Sequence, residues 1–113
     1  MTMKKKSVNK KYSDAVLEKI VSSIVSSVAP DKIILFGSRA MGRHRKDSDY
    51  DICVLKRNIR NRSRFVGKIY RRLGVMASVD VVVNTPVRFQ QLKDKWFFVY
   101  HDIDKFGKVI YEK

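Results

Sequence analysis

The sequence predicts an α/β domain, a sheet with helices packed against it, on three observations. Short apolar runs occur at Ile33-Ile34-Leu35-Phe36, Ile52-Cys53-Val54-Leu55 and Val79-Asp80-Val81-Val82-Val83. Amphipathic stretches with a 3.6-residue apolar period separate them. No internal repeat or low-complexity linker interrupts the alternation, so a single layered structure accounts for the chain.

Each element has its own signal. Residues 1–11, carrying Lys4, Lys5, Lys6, Lys10 and Lys11, read as a flexible basic arm, and residues 12–113 as one domain. Ser13 is placed to cap a helix running to about Val28. Val16, Leu17, Ile20, Val21, Ile24, Val25 and Val28 form its apolar stripe, serines 22, 23, 26 and 27 its other face, and Pro30 its end. Lys32–Phe36 is the first strand. Gly37-Ser38 begins a turn and a short helix to about Gly42, and Arg43–Ser48 is a polar loop. Asp49–Leu55 is the second strand. Arg62–Leu73 reads as a helix with Phe65, Val66, Ile69, Tyr70 and Leu73 inward and Gly74 at its C-terminal end. Ser78–Val83 is the third strand. Thr85 and Pro86 supply the cap and first position of another helix. Trp96, Phe97, Tyr100 and Ile103 predict a last helix stopped by Gly107. Its aromatic stripe, Phe98 included, is expected in the core, with a partner-binding patch as the alternative for part of it. Val109-Ile110-Tyr111 forms a final edge strand.

Composition narrows the function. A chain of 113 residues with 44% hydrophobic content holds one packed domain. No apolar stretch approaches the ~20 residues of a membrane span, so no membrane partner is expected. The basic start lacks the apolar segment of a secretory signal. Cys53 is the only cysteine, which excludes an internal disulfide, argues against a cysteine-built zinc site and makes the cytoplasm the expected location. The net charge of +14, with a pI near 10.2, favours polyanionic partners such as nucleic acid, nucleotides or an acidic protein. One cluster is the arm. The other is Lys56, Arg57, Arg60, Arg62, Arg64, Lys68, Arg71 and Arg72, with no acid between Asp51 and Asp80. An ordinary solvated surface is the competing reading. Only Phe65 and Tyr70 interleave that cluster, at helical core spacing, so a base-stacking platform is absent.

The chemistry is concentrated in Gly37-Ser38 and, ten residues on, Asp49-Tyr50-Asp51. On a strand Asp49 and Asp51 share a face while Tyr50, Ile52 and Val54 face away or into the core. Two carboxylates that close call for a hard divalent cation, Mg²⁺ or Mn²⁺. Asp80 lies inside an apolar strand, where an unpaired buried charge is costly. It is either a third member of the acid group, or a solvent-facing residue of an edge strand, or the partner of an arginine. Ser48 reads as a turn residue, His44 as exposed, and Cys53 as a buried, inert thiol.

Taken together, Gly37-Ser38, Asp49 and Asp51, Asp80, and the tail Phe106–Glu112 resemble the minimal nucleotidyltransferases of the DNA polymerase β superfamily, over all but the arm. The resemblance implies a small mixed sheet of polymerase β palm-like type. It implies transfer of a nucleotide from a triphosphate to a hydroxyl, with pyrophosphate leaving. Asp49 and Asp51 would bridge two Mg²⁺ ions (Mn²⁺ being the other fit), and Asp80 would bind the catalytic one and help take the acceptor's proton. Gly37 and Ser38 would meet the triphosphate, with Arg39 and Arg43 among the basic residues around it. Stand-alone members of this kind resemble the antitoxin of a toxin–antitoxin pair whose toxin is a helical HEPN protein. That implies ATP as substrate and a toxin tyrosine as acceptor of AMP. Two other classes remain: an antitoxin acting by contact alone, and a basic RNA-binding protein.

Overall fold

In the computed structural model, which describes residues 14–113, the chain runs α1 (Ala15–Val28), β1 (Lys32–Phe36), β2 (Tyr50–Leu55), α2 (Arg62–Arg72), β3 (Val79–Asn84), α3 (Pro86–Leu92), α4 (Val99–Phe106) and β4 (Lys108–Glu112). The expected basic arm and Ser13 lie outside the described residues. Three helices start on a side-chain cap that satisfies an otherwise orphaned backbone donor. Asp14 caps α1, accepting the Leu17 N–H at 2.7 Å, so the cap falls one residue later than Ser13. Asn61 caps α2, and Thr85 caps α3 with Pro86 directly after it. No described helix is long and apolar enough to cross a membrane.

The strand order is β3-β2-β1-β4. β1 runs antiparallel to both β2 and β4, whereas β2 and β3 are parallel and joined by α2, the crossover that a parallel pair requires. The sheet is therefore mixed, with β4 on one edge as expected and β3 on the other. Helices cover both faces. Ile33, Leu35, Ile52 and Val54 lie under α1 and α2, against Leu17, Ile20, Ile24 and Ile69. Ile34, Cys53 and Leu55 lie on the other face under α3 and α4, against Phe89, Leu92, Tyr100 and Ile103. Burial on both sides explains why the strands read as continuous apolar runs rather than alternating ones. Asn84, buried at the end of β3, donates to the Tyr100 hydroxyl at 3.1 Å and accepts the Thr85 N–H at 2.9 Å, which locks α3 and α4 to the sheet.

Cover on the α3/α4 face is uneven. Along β2, Leu55 and Cys53 are buried and Asp51 is half-buried. Along β3, Asn84 is buried, Val82 half-buried and Asp80 exposed. One end of the sheet is thus open on this face, and the acids lie there.

Four local expectations change. Residues after Gly37 form hydrogen-bonded turns rather than a short helix: Ala40 N–H donates to the Gly37 carbonyl, and Met41 and Arg43 N–H to that of Ser38. Positive φ at both Gly37 (76°) and Gly42 (71°) prevents helical continuation. β2 starts at Tyr50, leaving Asp49 in the loop just before it. Tyr70 is not a core residue; it lies 43% exposed over the open edge of β3, its hydroxyl accepting the Val81 N–H at 2.8 Å. The last helix starts at Val99, so Trp96 (77% exposed), Phe97 (63%) and Phe98 (41%) sit in the preceding turn. Their rings pack on one another, edge-on between Trp96 and Phe97 at 5.6 Å and tilted between Phe97 and Phe98 at 4.9 Å, while Tyr100 and Ile103 enter the core.

Candidate active site

β1 and β2 are antiparallel with Phe36 opposite Asp51, so the residue after β1, Gly37, comes up against the Asp51 side chain. A Cβ added to Gly37 would overlap a carboxylate oxygen of Asp51 and lie 3.0 Å from its Cγ. With φ at 76°, the position demands glycine twice, for backbone conformation and for space. Ser38 follows, half-buried, its carbonyl holding the turn and its hydroxyl without a protein partner among the described residues.

The third acid comes from β3. Asp51 and Asp80 are partners in the parallel register, so the two side chains leave the same face of adjacent strands. β3 is indeed an edge strand and Asp80 is exposed, but it is turned toward the acid pair and no arginine pairs with it among the described residues. The Asp51 carboxyl is pushed above the ordinary carboxylate range, first by burial, then by the charges of Asp80 and Asp49. Asp80 and Asp49 thus each act on Asp51. On the same side of β2, two residues further in, burial pushes the Cys53 thiol up to about 12, which makes it the inert group expected of it.

Among the described residues, no three His, Cys, Asp or Glu side chains are close enough to cage a metal ion unaided. Mg²⁺ seldom uses such a cage: it is held by one or two carboxylates and completes its shell with water and substrate phosphate oxygens. The Asp51–Asp80 pair, open to solvent and forming no ion pair among the described residues, fits that donor set.

Arg39 corrects the sequence reading. Its guanidinium is turned away from solvent, under the 45–48 loop. Nε donates to the Ser48 carbonyl at 3.1 Å, and Nη2 to the carbonyls of Lys46 and Ser48 at 3.0 Å and, more weakly, of Arg45. Nη1 pairs with Asp14 at 3.6 Å, and the plane lies 3.8 Å over the Tyr50 ring. Asp14 also accepts the Tyr50 hydroxyl at 3.0 Å. The Tyr50 phenol is pushed up by burial and then by Asp14, with Arg39 partly opposing. The residue expected at the triphosphate is instead a staple that ties α1, the loop and the start of β2 together, immediately beside Asp49 and Asp51. Nothing in the sequence links Asp14 to Arg39 and Tyr50; only the fold brings them together. Ser48 is the turn residue it was read as, its hydroxyl accepting the Arg45 N–H at 2.8 Å. Arg43 is exposed at the rim, and no side-chain partner holds its guanidinium among the described residues.

The family model for polymerase β-type nucleotidyltransferases matches residues 18–113, from α1 to the end of the chain. The chain belongs to this nucleotidyltransferase family. Among solved structures, the nucleotidyltransferase domain is similar to one described as "Crystal structure of the toxin-antitoxin with AMP-PNP". The TM-score is 0.54 and the identity 24%, with 84% of this chain and 72% of the other covered, a likeness of fold. No curated protein sequence matches it. The expected small mixed sheet with packed helices is the observed one, and the acids of this nucleotidyltransferase domain lie at the open end of that sheet.

Proposed function

We propose that the protein is a metal-dependent nucleotidyltransferase that moves AMP from ATP to a hydroxyl, the acceptor being a tyrosine of a HEPN-type toxin for which it is the antitoxin. The observation carrying this reading is the in-register Asp51–Asp80 pair on parallel strands, with the Gly37 backbone pressed against Asp51. Asp51 and Asp80, with Asp49 beside them just before β2, would hold the cations together with water and phosphate oxygens. Divalent ions bound there would supply charge neutralisation at the attacking and leaving oxygens.

The chain's own groups do the rest. Gly37 keeps the approach to Asp51 free of side-chain bulk, Ser38 offers a phosphate oxygen a hydroxyl with no partner among the described residues, and Arg43, exposed and tied through its N–H to the Ser38 carbonyl, has fork geometry suited to phosphate. The acceptor O–H is broken as its proton passes to the Asp80 carboxylate. The acceptor oxygen bonds the α-phosphorus, and the bond from that phosphorus to the bridging oxygen breaks, releasing pyrophosphate. A toxin as partner and an adenine nucleotide as donor are supported by the words that describe the similar structure, and a protein acceptor by the exposed aromatic cluster at Trp96–Phe98.

The test is incubation with a purified HEPN-type toxin and labelled ATP. Mg²⁺-dependent label should appear on the toxin and disappear in Asp51→Asn and Asp80→Asn. Label that persists in either variant defeats the mechanism. Neutralisation without label leaves an antitoxin acting by contact.

A further inference from the structure

Given the cation site proposed for the three acids, we propose that Arg39 is a positioning residue for it: by fixing the Ser48–Asp49 peptide and the Tyr50 ring, it sets where the Asp49 carboxylate stands. Asp51 and Asp80 need no such help. Both lie in register within paired strands, and the Gly37 backbone packs against Asp51. Asp49 precedes β2 and belongs to neither strand pairing. What holds it is the guanidinium of Arg39. Nε and Nη2 both donate to the Ser48 carbonyl, at 3.1 and 3.0 Å, and Nη2 also donates to the Lys46 carbonyl at 3.0 Å. The Ser48 carbonyl shares a planar peptide unit with the Asp49 nitrogen, so holding it fixes the direction in which the chain enters Asp49. On the other side of Asp49, the guanidinium lies 3.8 Å over the Tyr50 ring. One side chain, only 8% exposed, thus holds both chain neighbours of Asp49.

Loop stability alone does not account for this arrangement. Carbonyls of a surface loop can be satisfied by water, whereas locking an arginine into one conformer gives up rotamer freedom. Its charge is also spent away from the acids. Nη1 pairs with Asp14 at 3.6 Å, and among the described residues Arg39 forms no ion pair with Asp49, Asp51 or Asp80. The guanidinium therefore orders the acid loop without occupying the place of a cation. Hydrogen-bonded groups behind metal ligands act in this way, and losing one weakens metal binding by about 10–100-fold. Lysine would supply the same charge but neither the planar fork nor its bidentate bonds, so Arg39→Lys separates geometry from charge.

The experiment is Mn²⁺ titration of the full chain, followed by electron paramagnetic resonance, with an ATP analogue that cannot release pyrophosphate. Arg39→Lys should keep the circular dichroism of the parent and bind Mn²⁺ about 10–100-fold more weakly. The loss should act through Asp49. In an Asp49→Asn background, Arg39→Lys should therefore add little, and the two effects should fall well short of additive. Asn61→Ala removes the α2 cap and so destabilises the chain away from the acids; it should leave Mn²⁺ affinity unchanged. Should Arg39→Lys not fold, Asp14→Asn, which retains a capping residue on α1 and loosens the guanidinium at Nη1, carries the same test. Parent-like Mn²⁺ affinity in the folded variant, additive losses with Asp49→Asn, or an equal loss in Asn61→Ala would overturn the role of Arg39 and leave the cation site standing. A parent chain that binds no Mn²⁺ removes the cation site and the role of Arg39 with it.

Discussion

Replacing Gly37 with alanine tests the site at its tightest point. The added Cβ would lie 3.0 Å from Asp51 Cγ and 3.3 Å from its Cβ. Ordinary carbon–carbon separations are about 3.5–4.0 Å, so the carboxylate must retreat by roughly 0.5–1 Å. Misplacement on that scale lowers a rate by about 10²-fold. Independently, φ of 76° adds about 1–2 kcal/mol of backbone strain for a residue with a Cβ. Gly42 separates the two effects, because its φ is 71° but nothing lies within 4 Å of its added Cβ. Both variants should melt lower, by roughly 4–8 °C for each kcal/mol lost. Gly37→Ala alone should also lose AMP transfer and Mg²⁺-dependent ATP binding measured by calorimetry. Equal losses of binding in the two variants, or unimpaired binding in Gly37→Ala, would refute the claim that Gly37 makes room for Asp51.

Asp51→Asn should raise thermal stability at pH 7 while abolishing transfer. The folded-state pKa of Asp51 is raised, so the ionised carboxylate destabilises the fold at neutral pH. That cost is relieved as pH falls through the raised value, and the advantage of the variant should shrink toward acid. A melting-temperature difference that grows on acidification contradicts the assignment. Arg39→Ala removes a charged donor from loop carbonyls and should cost about 1.5–3 kcal/mol by urea unfolding. Because Arg39 opposes the upward shift of Tyr50, the phenol should titrate at still higher pH in the variant, followed by its ultraviolet absorbance. An unchanged or lower titration shows that the guanidinium does not act on the ring. Cys53, fully buried with its thiol raised to about 12, should resist alkylation until the protein unfolds, and labelling of native protein would contradict its placement. Trp96→Ala should change stability by no more than about 0.5 kcal/mol, where a core tryptophan would cost about 3–5 kcal/mol.

Much of this architecture was legible because composition and structure agree locally. The strands buried on both faces announce themselves as unbroken apolar runs, and Thr85-Pro86 marks the start of α3 by donor satisfaction alone. The failures have physical causes. Ser13 and Asp14 are both capping residues, and periodicity does not choose between neighbours. Trp96, Phe97, Tyr100 and Ile103 fit a helical stripe, but Phe89 and Leu92 already fill the space over Ile34, Cys53 and Leu55 along with the last two. The chain turns through residues 93–98 instead, and the large rings stay outside. Tyr70 fits the core period of α2 as well, yet its hydroxyl finds the unpaired Val81 N–H at the β3 edge. Arg39 follows Gly37-Ser38 and so invites assignment to phosphate. Its real partners, Asp14 and the carbonyls of residues 45–48, depend on tertiary contacts that spacing does not encode.

The placement of Asp80 needed the fold as well. Strand parity says that alternate residues share a face, but not which face of the next strand they join. Parallel pairing of β2 with β3, in the register that sets residue 51 beside residue 80, decides it. The chain carries 25 lysines and arginines against 11 acids. Among the described residues Asp14 pairs with Arg39, Asp31 with Arg57 and Lys113, and Glu112 with Lys32, while Asp47, Asp94, Asp102 and Asp104 form no ion pair. Among the described residues no such pair neutralises Asp49, Asp51 or Asp80 either. What singles out Asp51 and Asp80 is their position side by side on parallel strands, with a glycine making room for the more buried of them, and that geometry is what the proposed cation site rests on.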